Sequence, residues 1–166
     1  MTRCCSQYHG DLMLYFAYGS NMDWDQIKGR CPSARFFGVA ELRDYRFAFT
    51  RRSEKRGCGV CDVVSDKGKA VWGVVFEINN VDIGRLDVEE GYQPGRATNS
   101  YLRKECHVFM SGDDKQPMAV VTYFGDPQAN PPLPNAEYKN LLVSGAHRWQ
   151  LPAEYIRQLE SIAVAK

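Results

Sequence analysis

Residues 12–18, Leu-Met-Leu-Tyr-Phe-Ala-Tyr, are apolar or aromatic throughout and stop abruptly at Gly19-Ser20-Asn21. A short apolar run that ends in turn residues reads as a buried strand feeding a loop that exposes its backbone. Gly19 is expected at positive φ, with its backbone brought against a ligand, because it allows dihedrals that a side chain forbids. Ser20 and Asn21 can bond their own backbone and tolerate left-handed conformations. Such a turn can aim successive N–H groups into one concavity suited to a carboxylate or an oxyanion. A Gly-Ser-Asn turn is also common as plain structure, and the run alone leaves both readings open.

The rest of the chain supplies the cover for that strand. Asp23 caps a short helix to about Lys28, which Gly29 and Pro32 end. From Phe36 the pattern is strand-like, with Arg43, Tyr45, Phe47 and Phe49 forming an aromatic face opposite Leu42, Asp44, Arg46 and Ala48. Residues 59–64 and 71–78 read as two paired strands around a turn at 65–69, and Asn79 or Asn80 then caps a helix to about Glu90. Residues 101–110 and 118–124 form a second hairpin, and the proline-rich stretch 125–134 an irregular loop. Two helices close the chain, over about 136–144 and from Pro152 onward. Interleaved hairpins with few helices predict the α+β class, a small mixed, mostly antiparallel sheet or barrel. The 166 residues suit a single domain, with 1–11 an irregular N-terminal segment and 12–163 the folded unit.

Composition removes several classes of function. A net charge of +1 gives no general reason to expect nucleic acid or an acidic membrane as partner. The basic stretch Arg51, Arg52, Lys55, Arg56 follows an aromatic strand and can suggest single-stranded nucleic acid, but a solvated hairpin tip suits the balanced charge better. No run reaches the roughly 18 apolar residues of a membrane span. The first apolar run follows Asp11 rather than a basic flank and makes a poor signal peptide, so a cytoplasmic protein is expected. Cys4 and Cys5 sit near the terminus, while Cys31 and Cys106 stand alone. Cys58 and Cys61 have a metal or redox spacing, but lie in a strand with no second pair or nearby histidine. They read as structural thiols. His9, His107 and His147 are scattered without ligand spacing. No metal and no cofactor are expected.

One carboxylate stands out. At about 100° per residue, Ile83, Leu86 and Glu90 share a stripe of their helix, with Asp87 alongside. Glu89 points elsewhere, toward Arg85 at i,i+4, as an exposed ion pair. A carboxylate on the buried stripe at the last turn faces desolvation and the negative end of the helix dipole, and both raise its pKa. Either the helix frays near Gly91 and frees Glu90 to solvent, or Glu90 is a general acid/base held partly protonated near neutral pH.

Tyr15-Phe16-Ala17-Tyr18-Gly19-Ser20-Asn21-Met22 and Leu86-Asp87-Val88-Glu89-Glu90-Gly91-Tyr92 together resemble the gamma-glutamylcyclotransferases. The resemblance extends to Val71-Trp72-Gly73-Val74-Val75-Phe76, Tyr138-Lys139, Gly145-Ala146 and Leu151-Pro152-Ala153-Glu154-Tyr155, and so covers about residues 13–160 in order. It implies a small barrel-like fold and release of 5-oxoproline from gamma-glutamyl compounds. It places Tyr18, Gly19, Ser20 and Asn21 in the substrate loop and makes Glu90 the catalytic glutamate. Tyr123 matches a tyrosine lining the pocket, and Tyr101 a second. Branches of the family acting on glutathione or gamma-glutamylamines typically carry Leu where this chain has Asn21, so the match is nearer the branch acting on gamma-glutamyl amino acids. A gamma-glutamylamine as substrate, or a silent module binding a glutamate-like ligand, are the alternatives. The stretch 93–100 looks longer than in relatives and, if it borders the pocket, bears on substrate preference.

The chemistry suits the residues. A gamma-glutamyl amide carries its own nucleophile, the α-amine, so no Ser, Cys or metal is required. Holding the folded conformer supplies several kcal/mol, in principle up to about 7–11. What remains is proton traffic, and an ordinary Glu at ~4.3 is mismatched with an amine near ~8 by about 5 kcal/mol. The loop amides can hold either the α-carboxylate or the tetrahedral oxyanion. The expected partner is a small molecule, neither nucleic acid nor membrane, and the protein is expected as a monomer or homodimer.

Overall fold

The computed structural model describes residues 11–166, so Cys4, Cys5, His9 and the expected irregular segment up to residue 10 lie outside the described residues. Strand β1 (Leu12–Ala17) pairs antiparallel with β3 (Cys58–Asn79) and meets β5 (Met118–Gly125) in parallel at Tyr15 and Val121. Strands β2 (Arg35–Ser53) and β3 form a long hairpin, and β4 (Tyr101–Met110) pairs with β5. A short β2–β4 ladder at Ala40–Met110 and Glu41–Phe109 completes a closed barrel in the order β1-β3-β2-β4-β5. Closure joins the outer strands of the sheet. The α+β, largely antiparallel barrel is the architecture expected from the interleaved hairpins. Among the described residues no helix is long and apolar enough to cross a membrane.

The expected pairing of residues 59–64 with 71–78 is not formed. Both belong to β3, and both pair with β2: Arg52 with Gly59 through Tyr45 with Ser65, then Arg43 with Ala70 through Arg35 with Glu77. The polar segment 66–69 is a bulge opposite Asp44 rather than a hairpin turn. Asp44 takes φ 64°, and its carboxylate accepts the amide of Gly68, itself at φ 85°, at 3.0 Å. An extra residue in a ladder reverses which side chains face inward. Accordingly Ala40 and Leu42 are buried before the bulge, while Tyr45, Phe47 and Phe49 are half-buried after it. Arg43 therefore does not share their face.

Two of the helices run past their expected ends. Helix α1 (Trp24–Arg30) is capped by Asp23, which accepts the amide of Gln26 at 2.9 Å, and continues through Gly29. Helix α2 (Asn80–Glu89) is capped by Asn79. Helix α3 (Ala136–Arg148) passes Ser144 because Gly145 lets it lie on the loop after β1: an added Cβ there would meet Met22 Cβ at 2.6 Å. Helix α4 (Ala153–Glu160) follows Pro152 and buries Tyr155, Ile156 and Leu159. Phe16 and Phe76 are fully buried in the core with Val71, Val74, Ile78, Leu86 and Leu142. Each such side chain contributes roughly 1.5–3 kcal/mol over leaving it in water. The loop after β1 and the end of α2 are thus set on rigid supports.

Candidate active site

Where β1 ends, the Tyr18 hydroxyl donates to the carbonyl of Tyr123, tying the start of the loop to β5. A 3₁₀ turn (Ser20–Met22) follows, closed by Met22 N to Gly19 O and Asp23 N to Ser20 O, each 3.0 Å. The first amides of such a turn have no carbonyl acceptor within it, which leaves Ser20 and Asn21 N–H at its open end. Gly19 takes φ −118°, not the expected positive φ. Glycine is needed here for space instead: an added Cβ would stand 2.4 Å from Cys61 Sγ.

Asn21 is buried, and its amide is tied at both ends. Its oxygen accepts from Gln26 Nε2 and Arg30, each at 2.9 Å. Arg30 can only donate, so the oxygen must face it and the amide nitrogen must face the other way. That nitrogen donates to Tyr15 Oη at 3.0 Å and Glu90 Oε1 at 3.1 Å. Gln26 also donates to Ser20 Oγ at 2.8 Å and accepts from Arg56 at 2.7 Å, so one face of α1 organises the whole loop.

Glu90 is held firmly, and the helix does not fray. Glu90 is the C-cap of α2, and Gly91 follows at φ 66°. Gly91 N donates to Val88 O at 3.1 Å and Tyr92 N to Asp87 O at 2.8 Å, the paired bonds of a left-handed glycine cap. The Glu90 side chain is 18% exposed, with Arg30 at 3.8 Å from Oε1. Burial raises its pKa above the usual carboxylate range; Arg30, the Asn21 hydrogen bond and Arg56 pull it partly back, while Glu89 adds to the rise. Glu89 does not pair with Arg85 as expected. It faces Lys55 at 3.2 Å and Arg30 at 3.8 Å, while Arg85 turns to Asp82 at 3.3 Å. The cap turns the helix end toward α1 and the β2–β3 tip, which is why the exposed pair forms across elements.

Every residue expected at the site converges on one cavity. A small inner chamber of about 40 Å³ is lined by Tyr18, Gly19, Ser20, Asn21, Glu90, Tyr101 and Tyr123. It opens beside Glu90 into an outer cleft of about 320 Å³, which Ser20, Tyr101 and Gly91 share with Ser100 and the basic β2–β3 tip. Gly91 and Ser100 form the neck of the 91–100 loop through Ser100 N to Gly91 O at 3.1 Å, and of the stretch 93–100 it is Ser100 that lines the cleft.

Three pocket residues were not among those singled out for the site: Tyr15, Cys61 and Tyr138. Tyr101 donates to Cys61 O at 2.7 Å, and Tyr138 donates to Cys61 Sγ at 2.9 Å while accepting from Cys61 N at 3.1 Å. Tyr123 donates to the buried Asp87 at 2.6 Å, and Asp87 is paired with Arg103 at 3.2 Å. Burial raises the phenols of Tyr15, Tyr101, Tyr123 and Tyr138, which keeps them protonated at neutral pH. Burial likewise pushes the Cys61 thiol up to about 12, so it is no nucleophile there. Tyr138 carried a partial signal through the Tyr138-Lys139 part of the resemblance. Gln26 and Arg30, i and i+4 on α1, carried only helical spacing.

A family model described as the AIG2-like family matches residues 70–159. A gamma-glutamylcyclotransferase of Bos taurus is 34% identical over 158 residues, covering 92% of this chain and 80% of that protein. One of Mus musculus is 34% identical over 157 residues, with coverage of 92% and 80%. A solved structure titled gamma-glutamyl cyclotransferase superposes with a TM-score of 0.85 at 30% identity, covering 94% of this chain and 90% of that one.

Proposed function

This chain belongs to the AIG2-like family, among the gamma-glutamylcyclotransferases, and we propose that it releases 5-oxoproline from gamma-glutamyl amino acids with Glu90 as the single acid/base. The observation that carries the reading is the environment of Glu90. A largely buried carboxyl with a raised pKa faces a chamber walled by protonated tyrosines, and only one of its oxygens is engaged by Asn21.

The glutamyl part of the substrate folds into the inner chamber with its α-amine toward Glu90. Two protons must travel from the α-ammonium to the departing nitrogen. Glu90 takes the first, and the amine then attacks the γ-carbonyl, forming the new C–N bond of the five-membered ring. Glu90 passes its proton to the departing nitrogen, the original amide C–N bond breaks, and the second proton leaves the ring nitrogen by the same route. The raised pKa of Glu90 narrows its mismatch with the amine and makes each transfer less uphill. The amides at the open end of the Ser20–Met22 turn serve either the α-carboxylate or the oxyanion, next to the proton-transfer site. Asn21, tied to Gln26 and Arg30, keeps Glu90 Oε1 occupied, which leaves Oε2 to carry the proton.

The test is a panel of gamma-glutamyl amino acids, gamma-glutamylamines and glutathione, assayed for 5-oxoproline. Release from the amino acid derivatives supports the reading. No release from any member, with binding of a gamma-glutamyl analogue retained, favours a silent binding module instead.

A further inference from the structure

The outer cleft is lined by several cations. Of the cations around it, Arg52 is paired with Glu54 at 3.5 Å, Lys55 with Glu89 at 3.2 Å, and Arg30 with Glu89 and Glu90 at 3.8 Å. Arg51 and Arg56 differ. Among the described residues Arg51 donates to a backbone carbonyl, Asp126 O, at 2.7 Å, and Arg56 to the neutral Gln26 Oε1 at 2.7 Å and Ser20 Oγ at 3.4 Å. Neither forms an ion pair among the described residues, although the charge of Arg56 still reaches Glu90. Each guanidinium also stands over a tyrosine that lines the chamber mouth, Arg51 over Tyr101 at 5.8 Å and Arg56 over Tyr138 at 5.1 Å. Arg51 comes from the end of β2 and Arg56 from the turn between β2 and β3, and both are only half-exposed.

Two partly desolvated guanidinium groups without an ion-pair partner, facing one cleft, favour an anion between them. The inner chamber is much the smaller of the two spaces, so with the glutamyl group seated there the departing group extends into this cleft. We propose that Arg51 and Arg56 read the carboxylate of the departing amino acid and so select gamma-glutamyl amino acids over amines and amides. This rests on the reading of the site as a cyclotransferase. It gives the basic tip, which suggested a solvated turn, a place at the rim of the site.

The experiment compares kcat/KM for gamma-glutamylalanine and gamma-glutamylalaninamide, which differ only in that carboxylate, with gamma-glutamylethylamine as a third substrate. The wild-type protein should prefer the free acid by about tenfold or more, the usual worth of a charge-assisted hydrogen bond. Arg56→Gln and Arg51→Gln should each lower that preference, Arg56→Lys should lower it less, and the double Gln variant should bring the ratio near one. Equal losses on all three substrates would overturn the proposal, since these arginines would then serve the shared glutamyl part. An unchanged ratio in both single variants, with thermal unfolding showing them folded, would overturn it as well. Failure of the cyclotransferase reading looks different: the wild-type protein would then release no 5-oxoproline from any of the three.

Discussion

Gly19→Ala tests the geometry of the loop more stringently than any change at an exposed position. The new Cβ would stand 2.4 Å from Cys61 Sγ, about 1 Å inside the 3.4 Å at which ordinary contact begins. Cys61 cannot easily withdraw, because it pairs with Phe49 in the ladder and its sulfur accepts from Tyr138 at 2.9 Å. The loop must therefore shift. Overpacking of this kind costs roughly 1–3 kcal/mol, and a loop displacement of about 1 Å at the reacting groups can cost about 10²-fold in turnover. Urea unfolding and kcat/KM for 5-oxoproline release measure the two effects. Cys61→Ala removes the obstructing sulfur, so the double variant should regain most of what Gly19→Ala loses. Additivity of the two single changes within about 0.5 kcal/mol would refute the steric account, as would a Gly19→Ala protein with wild-type stability and turnover.

Asn21→Leu should lower kcat and move the acid limb of kcat/KM to higher pH, because the lost hydrogen bond favours ionised Glu90. A limb that stays in place would show that Asn21 does not act on Glu90. Glu90→Gln should raise the unfolding temperature at neutral pH. The folded state raises the Glu90 pKa, so the stabilisation its proton provides is complete below the unfolded pKa and is lost as pH rises through the folded one. The gain from Gln should therefore appear near pH 7–8 and shrink toward pH 4, as thermal melts across that range would show. Activity should survive exhaustive chelation and mild thiol-blocking reagents, since Cys61 is buried and protonated. Loss on chelation with recovery on one added metal would contradict this.

The α+β class was legible in the interleaved hairpins; the loop and Glu90 each stood out on a local signal, an apolar run ending in Gly-Ser-Asn and a carboxylate on a helical stripe, but only the family resemblance joined them in one site. What was not legible depends on long-range register. The segment 65–69 has good turn chemistry, yet Asp44 at φ 64° absorbs it as a bulge and keeps β3 continuous. Nothing local distinguishes those outcomes. The need for Gly19 was readable, but its cause was not, since the neighbour that excludes a side chain lies 42 residues away at Cys61. Glu89 follows the same pattern: Arg85 is its helical neighbour, but Lys55 and Arg30 reach it from other elements. Whether Glu90 frays or stays was decided by the left-handed cap at Gly91, whose glycine was visible but compatible with either outcome.

The central claim is that Glu90, and not its neighbour, carries the proton. The most direct measurement is single-turnover release of 5-oxoproline from gamma-glutamylalanine by Glu90→Gln and Glu89→Gln. The amide of Gln cannot carry a proton, so Glu90→Gln should be slower by about 10²-fold or more while still binding a non-reactive gamma-glutamyl analogue. Glu89→Gln removes the pairs with Lys55 and Arg30 and the smallest of the contributions to the Glu90 pKa, and should stay near the wild-type rate. Comparable losses in the two variants, or substantial turnover retained by Glu90→Gln, would contradict the account.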